Sequence, residues 1–186
     1  MLRCTRPYQK IPFQFSLHIV EKEGTFPFQY SFLASGNTDP RHGLLKELKS
    51  ALGERGSIVV FNQTLEKGVL AELGKAFPEY GIWVKQIHDR IVDLYIPFRN
   101  FSYYHPLQKS SASIKNVLPA LTGKSYAGLS IAHGDDASLT FFKMVTGAFS
   151  NQETLQARKE LEEYCSLDTQ GMIWIVEELD KLCRSY

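Results

Sequence analysis

The end of the chain carries the pattern that most restricts its fold: a long apolar stripe with helical spacing and one carboxylate inside it. Successive stripe positions lie four or three residues apart, at Leu161, Cys165, Asp168, Met172, Ile175, Leu179 and Leu182. This spacing predicts a helix over residues 153–183 with one face towards the interior. A carboxylate on such a face is costly unless it is compensated. Asp168 is therefore expected to face a metal, a basic side chain or a water-filled cleft.

Tyr164 lies one turn before Asp168, where an i,i+4 neighbour can reach the same site. A purely structural explanation stands beside the functional one. Asp168 can lie at a solvent-open edge or pair with an Arg or Lys side chain, and helix geometry alone does not separate the two explanations.

The rest of the chain alternates strand and helix patterns, which indicates an α/β fold. Residues 11–20 alternate apolar and polar, as in a half-buried strand, and residues 28–34 are predicted to pair with them across a turn at Gly24. No linker is evident, so residues 1–186 are predicted to form a single domain. The other expected elements are a helix at 40–55, a buried central strand at 57–61, a helix at 65–77, a short strand and turn within 87–98, a long loop at 99–111, and helices at 113–121 and 135–146.

Polar residues follow the predicted strand at 57–61, where α/β sheets place their ligands. Asn62 ends this strand, and Glu66 comes four residues later in the first turn of the next helix. Capping by Asn62 and a favourable helix-dipole position for Glu66 explain the same pattern without a function. Asp93 is a supporting candidate, although a turn or a helix cap also accounts for it.

The loop that begins at Arg99 mixes aromatic and cationic side chains, including Phe101. Such mixtures can stack bases and hold phosphates, although a loop packed on the core would have the same composition. The nucleic-acid-binding candidates are Arg99, Tyr103, Tyr104, His105, Lys109 and Lys115.

Composition places limits on the partners. Lys and Arg number 21 against 20 Asp and Glu, so a nucleic-acid partner would need a local basic patch. Three widely spaced cysteines fit a reducing compartment, and neither a signal peptide nor a membrane span is evident. The chain is thus expected to be cytoplasmic, with no membrane partner. No zinc spacing, nucleophile elbow or complete phosphate loop is present.

Together, Asn62, Glu66 and the pair Tyr164 and Asp168 resemble the second and third motifs of the DEDD 3′–5′ exonucleases. There, an Asn follows a strand, an acidic residue comes four positions later, and a C-terminal helix carries Tyr-x-x-x-Asp. Over nearly the whole chain, the sequence resembles the bacterial family known as domain of unknown function 2779, which is itself similar to ribonuclease H-like nucleases. The strings that carry this resemblance are RPYQKIPFQFSLH, YYHPLQKSSASIKNVLPAL and EYCSLDTQGMIWIVEEL.

The resemblance implies a ribonuclease H-like mixed sheet flanked by helices and a two-metal hydrolase that uses Mg²⁺ or Mn²⁺. It makes Glu66 and Asp168 metal ligands, gives Tyr164 the task of orienting the attacking water, and makes Asn62 a brace for the strand end. The function it implies is 3′–5′ exonuclease-like hydrolysis of DNA or RNA.

The sequence departs from this pattern at its start. Relatives carry an Asp-x-Glu motif on a first strand before the segment that begins here at Arg6, whereas no acidic residue precedes Glu21. The fold is therefore expected to lack its first strand, with catalysis impaired or lost. Three explanations stay open: a shortened sequence or gene model, an upstream segment or partner chain that supplies the strand, or a domain that has lost catalysis. The alternative function is a non-catalytic ribonuclease H-like module that binds nucleic acid or a protein partner.

Overall fold

The structure, a computed structural model, describes residue 5, residues 9–36 and residues 38–185. Strands and helices are mixed, which confirms the α/β class, and each helix and strand expected from the sequence is found close to its expected range. The elements, in chain order, are β1 (Gln14–Ile19), β2 (Phe28–Leu33), α1 (Arg41–Leu52), β3 (Ile58–Val60), α2 (Gln63–Ala76), α3 (Gly81–Arg90), β4 (Ile91–Asp93), α4 (Ile96–Arg99), α5 (Ile114–Thr122), α6 (Gly134–Val145) and α7 (Asn151–Arg184).

The chain divides into two compact units. The first comprises residues 1–53 and 126–167, and the second comprises residues 54–125 and 168–186. The single domain expected over residues 1–186 stays a prediction. Within the described ranges, no helix combines the length and the apolar character needed to cross a lipid bilayer.

In the first unit, β1 and β2 form the expected antiparallel hairpin, with Phe15 opposite Phe32 and Leu17 opposite Tyr30. One face of the hairpin is aromatic, because the ring of Phe15 lies 5.8 Å from that of Phe32 and 6.0 Å from that of Tyr30. Helix α1 covers this face. At Gly43 of α1, a Cβ atom would lie 3.6 Å from the Phe32 ring, which is ordinary van der Waals contact.

The other face of the hairpin is polar and is only partly covered, since Gln29 and Ser31 stay exposed on it. Ser16 is buried on it with only 7% of its surface exposed. Gln14 Nε2 donates to the Leu161 carbonyl of α7 at 2.6 Å, and Gln29 Nε2 donates to Ser166 Oγ at 2.8 Å. Partial burial of the Gln14 amide is tolerated because it has a partner on the helix.

Apolar packing between α6, α7 and the start of β1 completes the first unit. The core of this cluster is Ile131, Ala137 and Leu161, against which Tyr164 also packs. The Phe13 and Phe141 rings stack with 4.0 Å between their centroids and 9° between their planes.

The second unit contains the parallel pair β3 and β4, in which Val59 lies opposite Val92 and Val60 opposite Asp93. The prediction of a fully buried central strand at 57–61 is wrong, because Val59 is 38% exposed and Val92 is 50% exposed. Only the face that carries Val60 and Asp93 is buried. The β-branched run therefore reflects strand propensity more than burial on both faces.

Close packing involves two glycines of the second unit. A side chain at Gly74 of α2 would lie 3.4 Å from Val84 of α3, and one at Gly171 of α7 would lie 3.2 Å from Leu118 of α5. Helix α3 was not expected from the sequence. It buries Trp83, Val84 and Ile87.

Candidate functional site at the ends of the parallel strands

The two parallel strands bring polar residues to a common edge. Strand β3 is followed by Asn62 and strand β4 ends at Asp93, and the Leu94 amide donates to the Val60 carbonyl at 2.9 Å. Carboxyl ends of parallel strands lie at the same edge of a sheet, so Asn62 and Asp93 are neighbours. The structure thus brings together two of the residues that the sequence singled out.

The Asp93 carboxylate holds this edge in place. Its Oδ1 atom accepts one hydrogen bond from the Asn62 amide and another from the Tyr95 amide, both at 3.0 Å. Asp93 is 9% exposed, so both bonds are shielded from solvent. The bond to Tyr95, two residues later, is that of an aspartate in a turn, and the supporting role of Asp93 at the site stays a prediction.

Asn62 acts through its backbone. It has a left-handed conformation, with φ of 79°, and its carbonyl accepts from the Leu65 amide at 3.1 Å. Its side chain makes no capping hydrogen bond to α2 within the described part of the chain, so the interpretation of Asn62 as a side-chain cap is wrong. Asn is among the residues that most readily adopt this conformation, which accounts for its place at the bend.

Glu66 lies in the first turn of α2, and its carboxylate is only partly compensated. Its Oε2 atom is buried and has no hydrogen-bond partner among the described residues. Burial raises the pKa of Glu66 to about 7; its own backbone amide opposes this rise, and the charge of Asp93 adds to it. A buried oxygen without a donor beside a second carboxylate attracts a proton or a cation.

Asp168 and Tyr164 are on α7, as predicted, but in different units. Asp168 is half-buried in the second unit, and Tyr164 belongs to the first, where its ring lies 6.3 Å from that of Tyr126. Across the ranges 9–36 and 38–185 and at residue 5, no group of three or more His, Cys, Asp or Glu side chains could hold a metal ion. Glu66 and Asp168 therefore do not belong to such a group with a third ligand.

Two of the loop candidates serve the loop itself. The Tyr103 ring packs edge-on against Phe98, with centroids 5.9 Å apart, and burial raises the pKa of its hydroxyl. His105 Nδ1 accepts from the Leu107 amide, and the His105 amide donates to Gln108 Oε1. Tyr103 thus anchors the loop on the buried Phe98 of α4, and the contacts of His105 within the loop account for its shape.

The other four loop candidates are more open. Tyr104 is 45% exposed. Arg99 and Lys109 are also exposed, while Lys115 is half-buried in the first turn of α5. The guanidinium carbon of Arg99 lies 5.8 Å from the centre of the Tyr95 ring.

His88 is not among the site residues predicted from the sequence. This residue lies on α3, and its Nε2 atom is buried without a hydrogen-bond partner in the described chain. The helical spacing of Trp83, Val84 and Ile87 was the signal that could have placed it.

Comparisons with known proteins give a family and leave its activity open. No solved structure matches the chain. The uncharacterized protein MG366 of Mycoplasma genitalium is 30% identical over 140 residues, which are 69% of this chain and 21% of that protein. The chain thus spans about a fifth of the length of the curated relative it matches. The model of the family described as "Domain of unknown function (DUF2779)" matches residues 1–113, and the chain belongs to this family.

Proposed function

We propose that this chain contributes to a metal-dependent nuclease that hydrolyses phosphodiester bonds in DNA or RNA, with Glu66 as a cation ligand. The observation that carries the proposal is the buried Oε2 atom of Glu66, which has no hydrogen-bond partner among the described residues. It lies at the carboxyl end of a parallel strand pair, where α/β proteins bind ligands.

The chemistry of the residues fits a hard divalent cation such as Mg²⁺ or Mn²⁺, which prefers carboxylate oxygens. Glu66 has an oxygen to offer, and the nearby Asp93 charge, which disfavours ionisation of Glu66, would favour a cation. Asp168, half-buried in the same unit, is the proposed second ligand. Two such ions, when bound, activate a water molecule and stabilise the leaving oxygen.

In this proposal Asn62 and Asp93 position the strand ends. The backbone amide of Asn62 donates to Asp93 Oδ1. This bond fixes the bend before α2, the helix that carries Glu66 in its first turn. The function that the resemblance gives to Tyr164, orienting the water, stays a prediction.

We further propose the ribonuclease H-like fold without its first strand. A ribonuclease H-like sheet contains both antiparallel and parallel strand pairs, and the described chain has one pair of each kind. The remaining carboxylates would come from an upstream segment or a partner chain. The greater length of the Mycoplasma relative is compatible with such a segment.

The test is thermal unfolding in EDTA and in millimolar Mn²⁺, measured on the wild type, Glu66→Gln and Asp168→Asn. Glu54→Gln is the matched control, because Glu54 is an exposed acid of the same unit. Mn²⁺ should raise the melting temperature of the wild type and of the control by a few degrees. A free Mn²⁺ concentration about ten times the dissociation constant adds roughly 1.4 kcal/mol to the free energy of unfolding. Neither site variant should respond. A wild type unmoved by Mn²⁺, or site variants that respond like the control, would refute Glu66 and Asp168 as cation ligands.

A non-catalytic module that binds nucleic acid or a protein is the second candidate. It is favoured by the finding that, in the described ranges, no three ligand side chains form a metal-holding group. Nucleic-acid binding that is equally strong in EDTA and in Mn²⁺, without strand cleavage in either, would favour this candidate over the nuclease.

A further inference from the structure

The middle of the chain is free of acidic residues over a long stretch. Between Asp93 and Asp135 the sequence has neither Asp nor Glu, whereas Lys and Arg residues recur at Arg99, Lys109, Lys115 and Lys124. The near-neutral charge of the whole chain conceals this segregation. A local excess of cations without carboxylates attracts polyanions.

Two aromatic rings project from this stretch into solvent. Phe101 is 68% exposed and Tyr104 is 45% exposed, and their ring centroids lie 6.0 Å apart with 48° between the planes. The neighbouring Tyr103 instead packs against the buried Phe98. Phe101 and Tyr104, hereafter the ring pair, thus form an apolar contact surface outside the core.

The backbone at the ring pair is unfavourable for a phenylalanine. Phe101 has φ of 56°, a left-handed conformation that suits glycine and that bulky residues rarely adopt. Residues held in such conformations are concentrated at binding sites. Here a strained residue exposes most of its ring, so burial of that ring in the core does not explain the strain.

Internal hydrogen bonds order the loop after the ring pair. Gln108 is 2% exposed. Its side-chain Oε1 accepts from the His105 backbone amide at 2.8 Å, and its backbone amide donates to the His105 carbonyl at 2.9 Å. An ordered loop loses little conformational freedom when a ligand binds.

Two cations of the loop are available to a ligand. Within the described residues, neither Arg99 nor Lys109 forms an ion pair with a carboxylate; the Arg99 guanidinium is near the Tyr95 ring and the Asn100 side chain. Exposed rings combined with unpaired cations are the combination by which proteins hold single strands, because the rings stack bases while the cations contact phosphates.

We propose that the loop binds single-stranded nucleic acid, with unpaired bases stacked on the exposed faces of Phe101 and Tyr104 and phosphates contacted by Arg99 and Lys109. This inference rests on the proposed function, which supplies nucleic acid as the substrate. It adds that the substrate is single-stranded. A duplex keeps its bases stacked on each other, so it cannot use the ring pair in this way.

The experiment is fluorescence anisotropy of the full chain with a dye-labelled single-stranded oligonucleotide in EDTA, against a blunt duplex of the same sequence. The ring variants are Phe101→Gly and Tyr104→Ala. Glycine suits the backbone at position 101, so the first variant should fold at least as well as the wild type. Phe142→Ala, which removes a 61% exposed ring of α6, is the matched control.

Each ring variant should weaken single-strand binding about tenfold, and the control should leave it within about twofold. Arg99→Ala and Lys109→Ala should each reduce the slope of log affinity against log salt by about 0.7. Equal affinity for the duplex, ring variants that bind like the wild type, or no binding at low salt would each overturn the proposal. EDTA separates this test from the cation site: failure at Glu66 leaves the anisotropy result unchanged, and failure of binding leaves the Mn²⁺ response unchanged.

Discussion

Asp93 ties the end of β4 to the end of β3 through the backbone amide of Asn62, which lies 3.0 Å from its Oδ1 atom. The same oxygen accepts from Tyr95, so one buried side chain serves two backbone donors. Asp93→Ala should leave both donors without a partner and lower the free energy of unfolding by about 2–4 kcal/mol. Asp93→Asn keeps one acceptor oxygen and should cost only about 1 kcal/mol. Urea unfolding of both variants tests this, and equal losses would show that the two hydrogen bonds are unimportant.

The carboxyl of Glu66 should make stability depend on pH. Its pKa of about 7 exceeds the ordinary 4.5, so between these values the folded protein keeps a proton that the unfolded chain has lost. The resulting contribution to stability is full below pH 4.5 and is lost as pH rises through about 7. The side chain of Glu66→Gln cannot ionise. As pH rises, the free energy of unfolding of this variant should therefore fall by about 1–2 kcal/mol less than that of the wild type, after allowance for solvent screening. The measurement is urea unfolding of both proteins in EDTA from pH 5 to 8. Parallel pH profiles for the two proteins would contradict the raised pKa.

The bend at Asn62 should tolerate glycine and reject a β-branched residue. Its φ of 79° is accessible to glycine without strain, and its side chain does not cap α2 in the described structure. Asn62→Gly should therefore change the free energy of unfolding by less than about 1 kcal/mol, whereas Asn62→Val should cost about 1–2 kcal/mol or more. Urea titrations of the two variants give the comparison. A larger loss for glycine than for valine would mean that the asparagine side chain matters here.

Two helical glycines should respond to alanine in opposite directions. Gly68 of α2 has open space where a side chain would extend, so Gly68→Ala should stabilise the protein by about 0.5–1 kcal/mol through helix propensity. At Gly171 the new methyl group would lie 3.2 Å from Leu118, which is fully buried and has little room to move. Gly171→Ala should therefore destabilise by about 1–3 kcal/mol, despite the same gain in propensity. Thermal melts of the two variants decide the signs, and stabilisation at both positions would contradict the packing at Gly171.

The sequence predicted much of the fold because its periodic segments carry local signals. The apolar stripe placed a helix at 153–183, and the structure has it at Asn151–Arg184. The alternation in 11–20 predicted β1 in the same way. Helix α3 was missed, since its apolar residues continue into the β-branched strand β4 and the combined segment resembles a strand followed by a turn.

The site was less predictable because it depends on the pairing of strands distant in sequence and on the sign of one backbone φ angle. Nothing local shows that Val60 pairs with Asp93, or that Asn62 has a positive φ and uses its amide. The sequence also could not separate Tyr103 from Tyr104, because loops have no period. Only the packing against Phe98 shows which of the two rings faces inward.

The polar face of the β1–β2 hairpin, with Ser16 buried on it, specifies how the two strands align. Strand side chains alternate between faces, so a slip of one residue would turn Phe15 towards α7 and Ser16 towards α1. Such a slip would also remove the Gln14 donor from the Leu161 carbonyl. Two apolar faces would tolerate that error, whereas one aromatic face and one amide face do not. The glutamines thus make misaligned hairpins unfavourable, and they do so even if their hydrogen bonds add little net stability.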